Sequence, residues 1–200
     1  DDLNASNLTI NGSISCGGNN VSVSNNLTGT GDLTCGAGTL DVNGDFNISG
    51  DTTLSSTTTN IGGNFTATGA TFNDNGGTIV FDGTAGTSIN ANGKNLGNVE
   101  IQVNKSLSNT LNCNNLNISA GTLTTGANTI NVGSSLTVAG TLNNLNAGGI
   151  INCNGTTVDF TGGNYTNGGT FNIIGVGTTF TTNNQNFGTL NIAGTVTTLN

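Results

Sequence analysis

The chain has no proline, methionine, tryptophan, histidine or arginine. With Lys94 and Lys105 as its only cations, it lacks nearly all the side chains that usually serve acid–base chemistry or clamp anions. An enzyme is therefore the least expected reading. The formal net charge of −8 also argues against nucleic acid as a partner, because phosphate neutralisation needs clustered Lys and Arg. An anionic membrane surface is disfavoured for the same reason. No apolar run approaches the roughly 20 residues of a membrane span, so membrane insertion is not expected. The chain opens Asp1-Asp2 without a basic or apolar leader, so an exported protein would be present here in processed form.

Charged residues make up 6 % of the chain, against about 25 % in an average soluble domain. The polar surface must instead be amide and hydroxyl. Asn and Thr are each nearly a fifth of the sequence, and Gly is 33. Such a composition also suits disorder, but the apolar residues argue otherwise. They fall in pairs two apart: Leu8/Ile10, Val21/Val23, Leu40/Val42, Phe46/Ile48, Ile130/Val132, Leu136/Val138, Val158/Phe160 and Leu190/Ile192. That is the period of a strand. No helical period is present, and the abundant residues are poor helix formers.

The strands belong to a repeat. The segments ASNLTINGSISCGGNNVSV (5–23), SNNLTGTGDLTCGAGTLDV (24–42), NGDFNISGDTTLSSTTTNI (43–61) and GGNFTATGATFNDNGGTIVF (62–81) align. One column reads Leu8, Leu27, Phe46, Phe65, and another Val23, Val42, Ile61, Phe81. Each segment carries three short apolar clusters separated by Gly, Asn, Asp or Ser. Three strands joined by turns close into a coil, and like columns stack on successive coils about 4.8 Å apart. The second half repeats the rhythm, as in NNLNISAGTLTTGANTINVGSSLTVAGTL (114–142), while 82–112 is less regular and predicts a bulge or a longer loop. The expected fold is all-β: one parallel β-helix, or β-solenoid, over 1–200. It should have about ten coils of 19–20 residues, three short strands each, and a rod length on the order of 50 Å. Corners need φ > 0, which Gly and Asn supply. Internal strands leave no place for proline.

Columns such as NLTINGS…VSV and SSLTVAGTL resemble the right-handed parallel β-helix repeats of bacterial surface proteins, the filamentous-haemagglutinin-like adhesins and autotransporter passengers. The resemblance implies a right-handed coil and an extracellular or cell-surface location. It implies function only loosely.

Four cysteines are present. Cys16 and Cys35 share a column on adjacent coils, within disulfide reach, and are either a disulfide or two reduced core thiols. Cys113 and Cys153 are about two coils apart, too far for a direct bond in a regular stack. They are candidate free or inter-subunit thiols. There is no C-x-x-C and no histidine, so no metal and no cofactor is expected. Asp41, Asp45 and Asp51 could meet at a corner as a carboxylate group; the plainer expectation is solvated turn carboxylates. Sequons such as Asn7, Asn47, Asn64 and Asn164 are no more frequent than the composition predicts. Outward Thr9/Asn11, Thr28/Thr30, Asn47/Ser49 and Thr66/Thr68 resemble the T-x-T arrays of ice-binding solenoids, with two of the four rows departing from the pattern.

A solenoid has two open ends, and no cap is evident in the sequence. Head-to-tail stacking of copies would cover them, with Leu3, Leu8 and Ile10 at one end and Leu190, Ile192, Val196 and Leu199 at the other. A heterologous contact of this kind makes a filament. The expected function is that of a structural subunit of a surface fibre serving adhesion, biofilm or cell contact. Its partners would be copies of itself, with surface glycans or other cells as further partners. The alternatives are a stalk segment of a larger adhesin and an ice- or carbohydrate-binding rod.

Overall fold

A computed structural model describes residues 1–199. They form an all-β parallel solenoid of about ten coils, and no helix occurs among the described residues. The first coil runs through Leu3–Ala5, Leu8–Ile10 and Ser13–Gly17, one strand on each of three faces. The second coil repeats this with Val21–Val23, Leu27–Gly29 and Asp32–Cys35. Every strand pair is parallel, as it must be when each coil lies on the one before.

The inward columns are the ones the repeat predicts. On the first face Leu3, Val21, Leu40, Thr59, Ile79, Val99, Leu116, Leu136, Val158 and Phe180 lie in register. On the second face Leu8, Leu27, Phe46, Phe65 and Ile89 do. The third face stacks Ile14, Leu33, Thr52 and Phe72, then resumes with Leu111, Ile130, Ile151, Phe171 and Leu190. In this second half the strands Leu111–Ile118 and Thr129–Val138 turn the corner from third face to first without a break, which joins the two faces in one ladder. Buried apolar side chains from Ile10 to Phe187 form one continuous core.

Coil length varies around nineteen. It shortens to 17 between Asn98 and Asn115 and lengthens to 24 between Asn64 and Ser88. The long coil lies in the stretch that the sequence marks as irregular.

Corners are held by a repeated device. A side-chain oxygen accepts the backbone N–H of the equivalent residue one coil on, a charge-assisted bond where the acceptor is Asp. Before the second face the row runs Asn7 to Asn26 (3.2 Å), Asn26 to Asp45 (2.9 Å), Asp45 to Asn64 (2.7 Å) and Asn64 to Ser88 (2.9 Å). Before the first face Asp2 takes Asn20 N and Asn20 takes Thr39 N. Before the third, Asp32 takes Asp51 N and Asp51 takes Thr71 N. These bonds pull Asp2 below the usual carboxylate range, the Asn20 backbone N–H being the largest cause. Close approach also explains the glycines: a Cβ on Gly31 would sit 1.8 Å from the Gly12 carbonyl oxygen.

Candidate functional site

The end coils expose strand edges. Leu3–Ala5 pairs only with Val21–Val23, and Leu8–Ile10 only with Leu27–Gly29. Leu3 and Leu8 are half-buried against the core, together with Ile14, which sequence reasoning did not select; Ile10 is buried. At the other end, Thr189–Ile192 pairs only with Thr170–Ile173, and Val196–Leu199 only with Thr178–Thr181. Leu190 and Ile192 continue the columns of Phe171 and Ile173. Those two are fully buried, whereas Leu190 is 36 % and Ile192 49 % exposed. Val196 is half-buried, and Leu199 is in backbone register with Thr181 while its side chain lies outside what is described.

One edge is not open, which corrects the expectation of an uncapped rod. After Thr178–Thr181 the chain makes a loop instead of a second-face strand. Asn183 and Asn184 both adopt left-handed φ, 48° and 59°, and turn Gln185 onto the edge of Asn164–Asn167. The Gln185 side chain then does the work of a backbone: its Oε1 accepts Tyr165 N at 2.7 Å, and its Nε2 donates to the Gly163 carbonyl at 3.1 Å. Phe187 follows and closes the core from above. Its ring centroid lies 5.0 Å from Tyr165, 5.1 Å from Phe171 and Phe180, and 5.3 Å from Phe160. The signal was available, since five of the nine aromatic residues fall between Phe160 and Phe187.

Cys16 and Cys35 are buried and free. The register slips between Ser15 and Gly17, so Cys35 stands opposite Gly17 and not squarely opposite Cys16. Burial raises both thiols, Cys35 to about 12. Cys113 and Cys153 are also buried and free, with Val132 in register between them. Burial pushes Cys113 up to about 12 and Cys153 up as well.

The carboxylates do not converge. Asp41 points outward on the first face, while Asp45 and Asp51 sit in two different corner rows as acceptors of backbone N–H groups. Among the described residues no group of three His, Cys, Asp or Glu side chains stands together.

Lys105 is the polar residue the sequence did not flag. It occupies an inward position of the second face, in register with Thr87 and Leu123, and is 2 % exposed. Its ammonium donates to the carbonyls of Gly62 (3.0 Å) and Gly63 (2.9 Å), reaches the Thr84 carbonyl (3.3 Å) and the Thr87 hydroxyl, and lies 5.7 Å from the Phe81 ring centre. Burial brings its pKa down to about 8, against the opposing pull of Asp82 and Asp45. Burial in turn raises Asp82. Lys105 thus fills the widened coil and ties three successive coils together.

The outer row of the third face carries an amide ladder. Asn131 Nδ2 donates to Asn112 Oδ1 (2.7 Å), Asn152 to Asn131 (2.7 Å), Asn172 to Asn152 (2.8 Å) and Asn191 to Asn172 (2.9 Å). By contrast, the outer row of the second face is mixed, reading Thr9, Thr28, Asn47, Thr66, Asn90.

Compared with protein-family models, with curated proteins and with solved structures, the chain matches none of them. The structure itself shows a parallel β-solenoid.

Proposed function

We propose that the chain is a non-enzymatic structural rod of an extracellular or cell-surface filament, extended by stacking a second copy onto its end coils. The observation that carries this reading is the exposure of Leu190 and Ile192. They stand in the columns of the core, beside unpaired strand edges, and a further coil laid on them would bury both. Parallel coils run in one direction, so the edge after Thr189–Ile192 accepts the leading edge of another copy and the contact does not close. The Gln185–Phe187 loop limits this contact to the first and third faces.

The same exposed edge suits a second reading, in which the coils are a segment of a longer adhesin stalk and the covering coil belongs to the same protein. Adhesion, biofilm formation or cell contact would follow from either. An ice- or carbohydrate-binding rod has less support, because Asn47 and Asn90 interrupt the outer Thr row of the second face and no aromatic side chain is exposed among the described residues. Electron microscopy at rising concentration, with and without reductant, separates these readings. Unbranched fibres with an axial repeat on the order of 50 Å support stacking of copies; an Ile192→Lys change should abolish them. Dispersed short rods at every concentration would overturn it.

A further inference from the structure

Six large apolar side chains are strongly exposed among the described residues, and all lie in the last third of the chain: Leu145, Ile150, Ile174, Val176, Leu190 and Ile192. Leu190 and Ile192 belong to the end edge. The other four surround the third face of two neighbouring coils. Ile150 opens the strand Ile150–Cys153 and Ile174 follows the strand Thr170–Ile173, so they mark opposite edges of that face. Leu145, 63 % exposed, lies just past the second-face strand Thr141–Asn144, and Val176, 78 % exposed, just before the first-face strand Thr178–Thr181, at the two flanking corners.

Between these edges run Asn152, Asn172 and Asn191, whose amides are already bonded to one another along the rod. An amide row that satisfies much of its own hydrogen bonding costs less to dehydrate than free amides do. The surface is also without charge. Of residues 106–200 only Asp159 is charged, and it sits in the outer row of the first face. The other eleven charged residues all lie in 1–105.

We infer that this third-face surface pairs two copies side by side, antiparallel, C-terminal half against C-terminal half. The uncharged patch admits a second copy, and the charge distribution sets its orientation. A chain of net charge −8 repels its copies wherever the acidic halves meet, and an antiparallel pair of unstacked copies sends those halves in opposite directions. A two-fold contact needs one self-complementary patch, which a flat, neutral amide row with apolar borders supplies. A glycan is a poorer fit, since every aromatic ring is wholly or partly buried and no carboxylate lies on this surface. Three coils present a patch on the order of 15 Å along the rod. That is well under the roughly 800 Å² per partner of a standard interface, so pairing should be weak and concentration-dependent.

Sedimentation velocity of the whole chain from micromolar to near-millimolar concentration tests this. The expected result is a monomer–dimer equilibrium that strengthens with salt, as the acidic halves are screened. Val176→Lys and Leu145→Lys should each weaken it at least tenfold, since both side chains are exposed and neither change disturbs the core. Thr28→Lys, far from the patch, should leave it unweakened. A chain monomeric throughout overturns the inference. So does a dimer indifferent to Val176→Lys. Association that Ile192→Lys abolishes and Val176→Lys does not is end-to-end stacking, and it overturns side pairing while sparing the filament reading. Retention of a monomer on a neutral polysaccharide, lost in Val176→Lys, assigns the face to a glycan and overturns pairing as well.

Discussion

Gln185 and Tyr165 are related as two strands would be, except that one partner is a side chain. The Gln185 amide accepts the Tyr165 backbone N–H at 2.7 Å and donates to Gly163, covering the edge where the next second-face strand would lie. Replacing it with Leu removes both bonds and leaves the Tyr165 N–H unpaired, at a cost of about 1–3 kcal/mol. Hydrogen exchange at Tyr165 should accelerate while exchange at Val21 stays unchanged, because coils communicate only with their neighbours. Phe187→Ala should cost more, about 3–5 kcal/mol, since it opens the aromatic cluster to water. Urea denaturation read by Tyr165 fluorescence measures it.

Lys105 makes stability depend on pH in a defined window. Its folded-state pKa is about 8, below the usual 10.5 that the unfolded chain would show. Between those values the unfolded chain binds more protons than the folded one, so stability rises with pH across the window. The cysteines oppose this. Their raised folded-state values make the folded chain hold protons longer above pH 9, so their contribution falls there. The difference between wild type and Lys105→Met cancels the cysteine part. That difference should move in favour of wild type as pH goes from 7 to 10. A flat difference would mean that Lys105 is charged and solvated in the folded protein.

Coil spacing decides how much could be read in advance. The columns Leu8, Leu27, Phe46, Phe65 were legible because nineteen residues separate each pair, and strand alternation then fixes which side chains point inward. Lys105 was not legible. Its inward position follows only once the widened coil between Asn64 and Ser88 is known, and a lysine in a strand ordinarily reads as surface. Gln185 escaped for a different reason: an amide side chain replacing backbone leaves no periodic trace. The corner carboxylates were recognised as turn residues, but their task as acceptors for the next coil depends on a contact nineteen residues away.

Gly31 tests the close approach at the corners. A methyl group there would lie 1.8 Å from the Gly12 carbonyl oxygen, and backbone cannot retreat as a side chain can. Gly31→Ala should therefore destabilise the first coils by at least 1–3 kcal/mol, the range of overpacking in a rigid site. Gly12→Ala, where a Cβ meets nothing within 4 Å, is the matched control and should be nearly silent. Thermal melts of the two variants decide it.

The amide ladder gives a prediction that reverses with pH. Asn152 donates to Asn131 at 2.7 Å and accepts from Asn172 at 2.8 Å. In Asn152→Asp the ionised carboxylate still accepts from Asn172, but it can donate nothing to Asn131 and sets a charge against the Asn131 oxygen. At neutral pH the variant should lose about 1–2 kcal/mol relative to wild type. A protonated carboxyl has an O–H to donate and restores the ladder. Its folded-state pKa is then raised above the usual 3.9 or so, and the restored stability is present below that value and lost as pH climbs through the raised one. Comparing variant with wild type at each pH removes the acid sensitivity of the native corner carboxylates. The gap between them should narrow as pH is lowered from 7 to 4. A gap that is constant or grows on acidification would mean that the ladder contributes by shape, through flat packing of neighbouring amides, and not by its chain of donors.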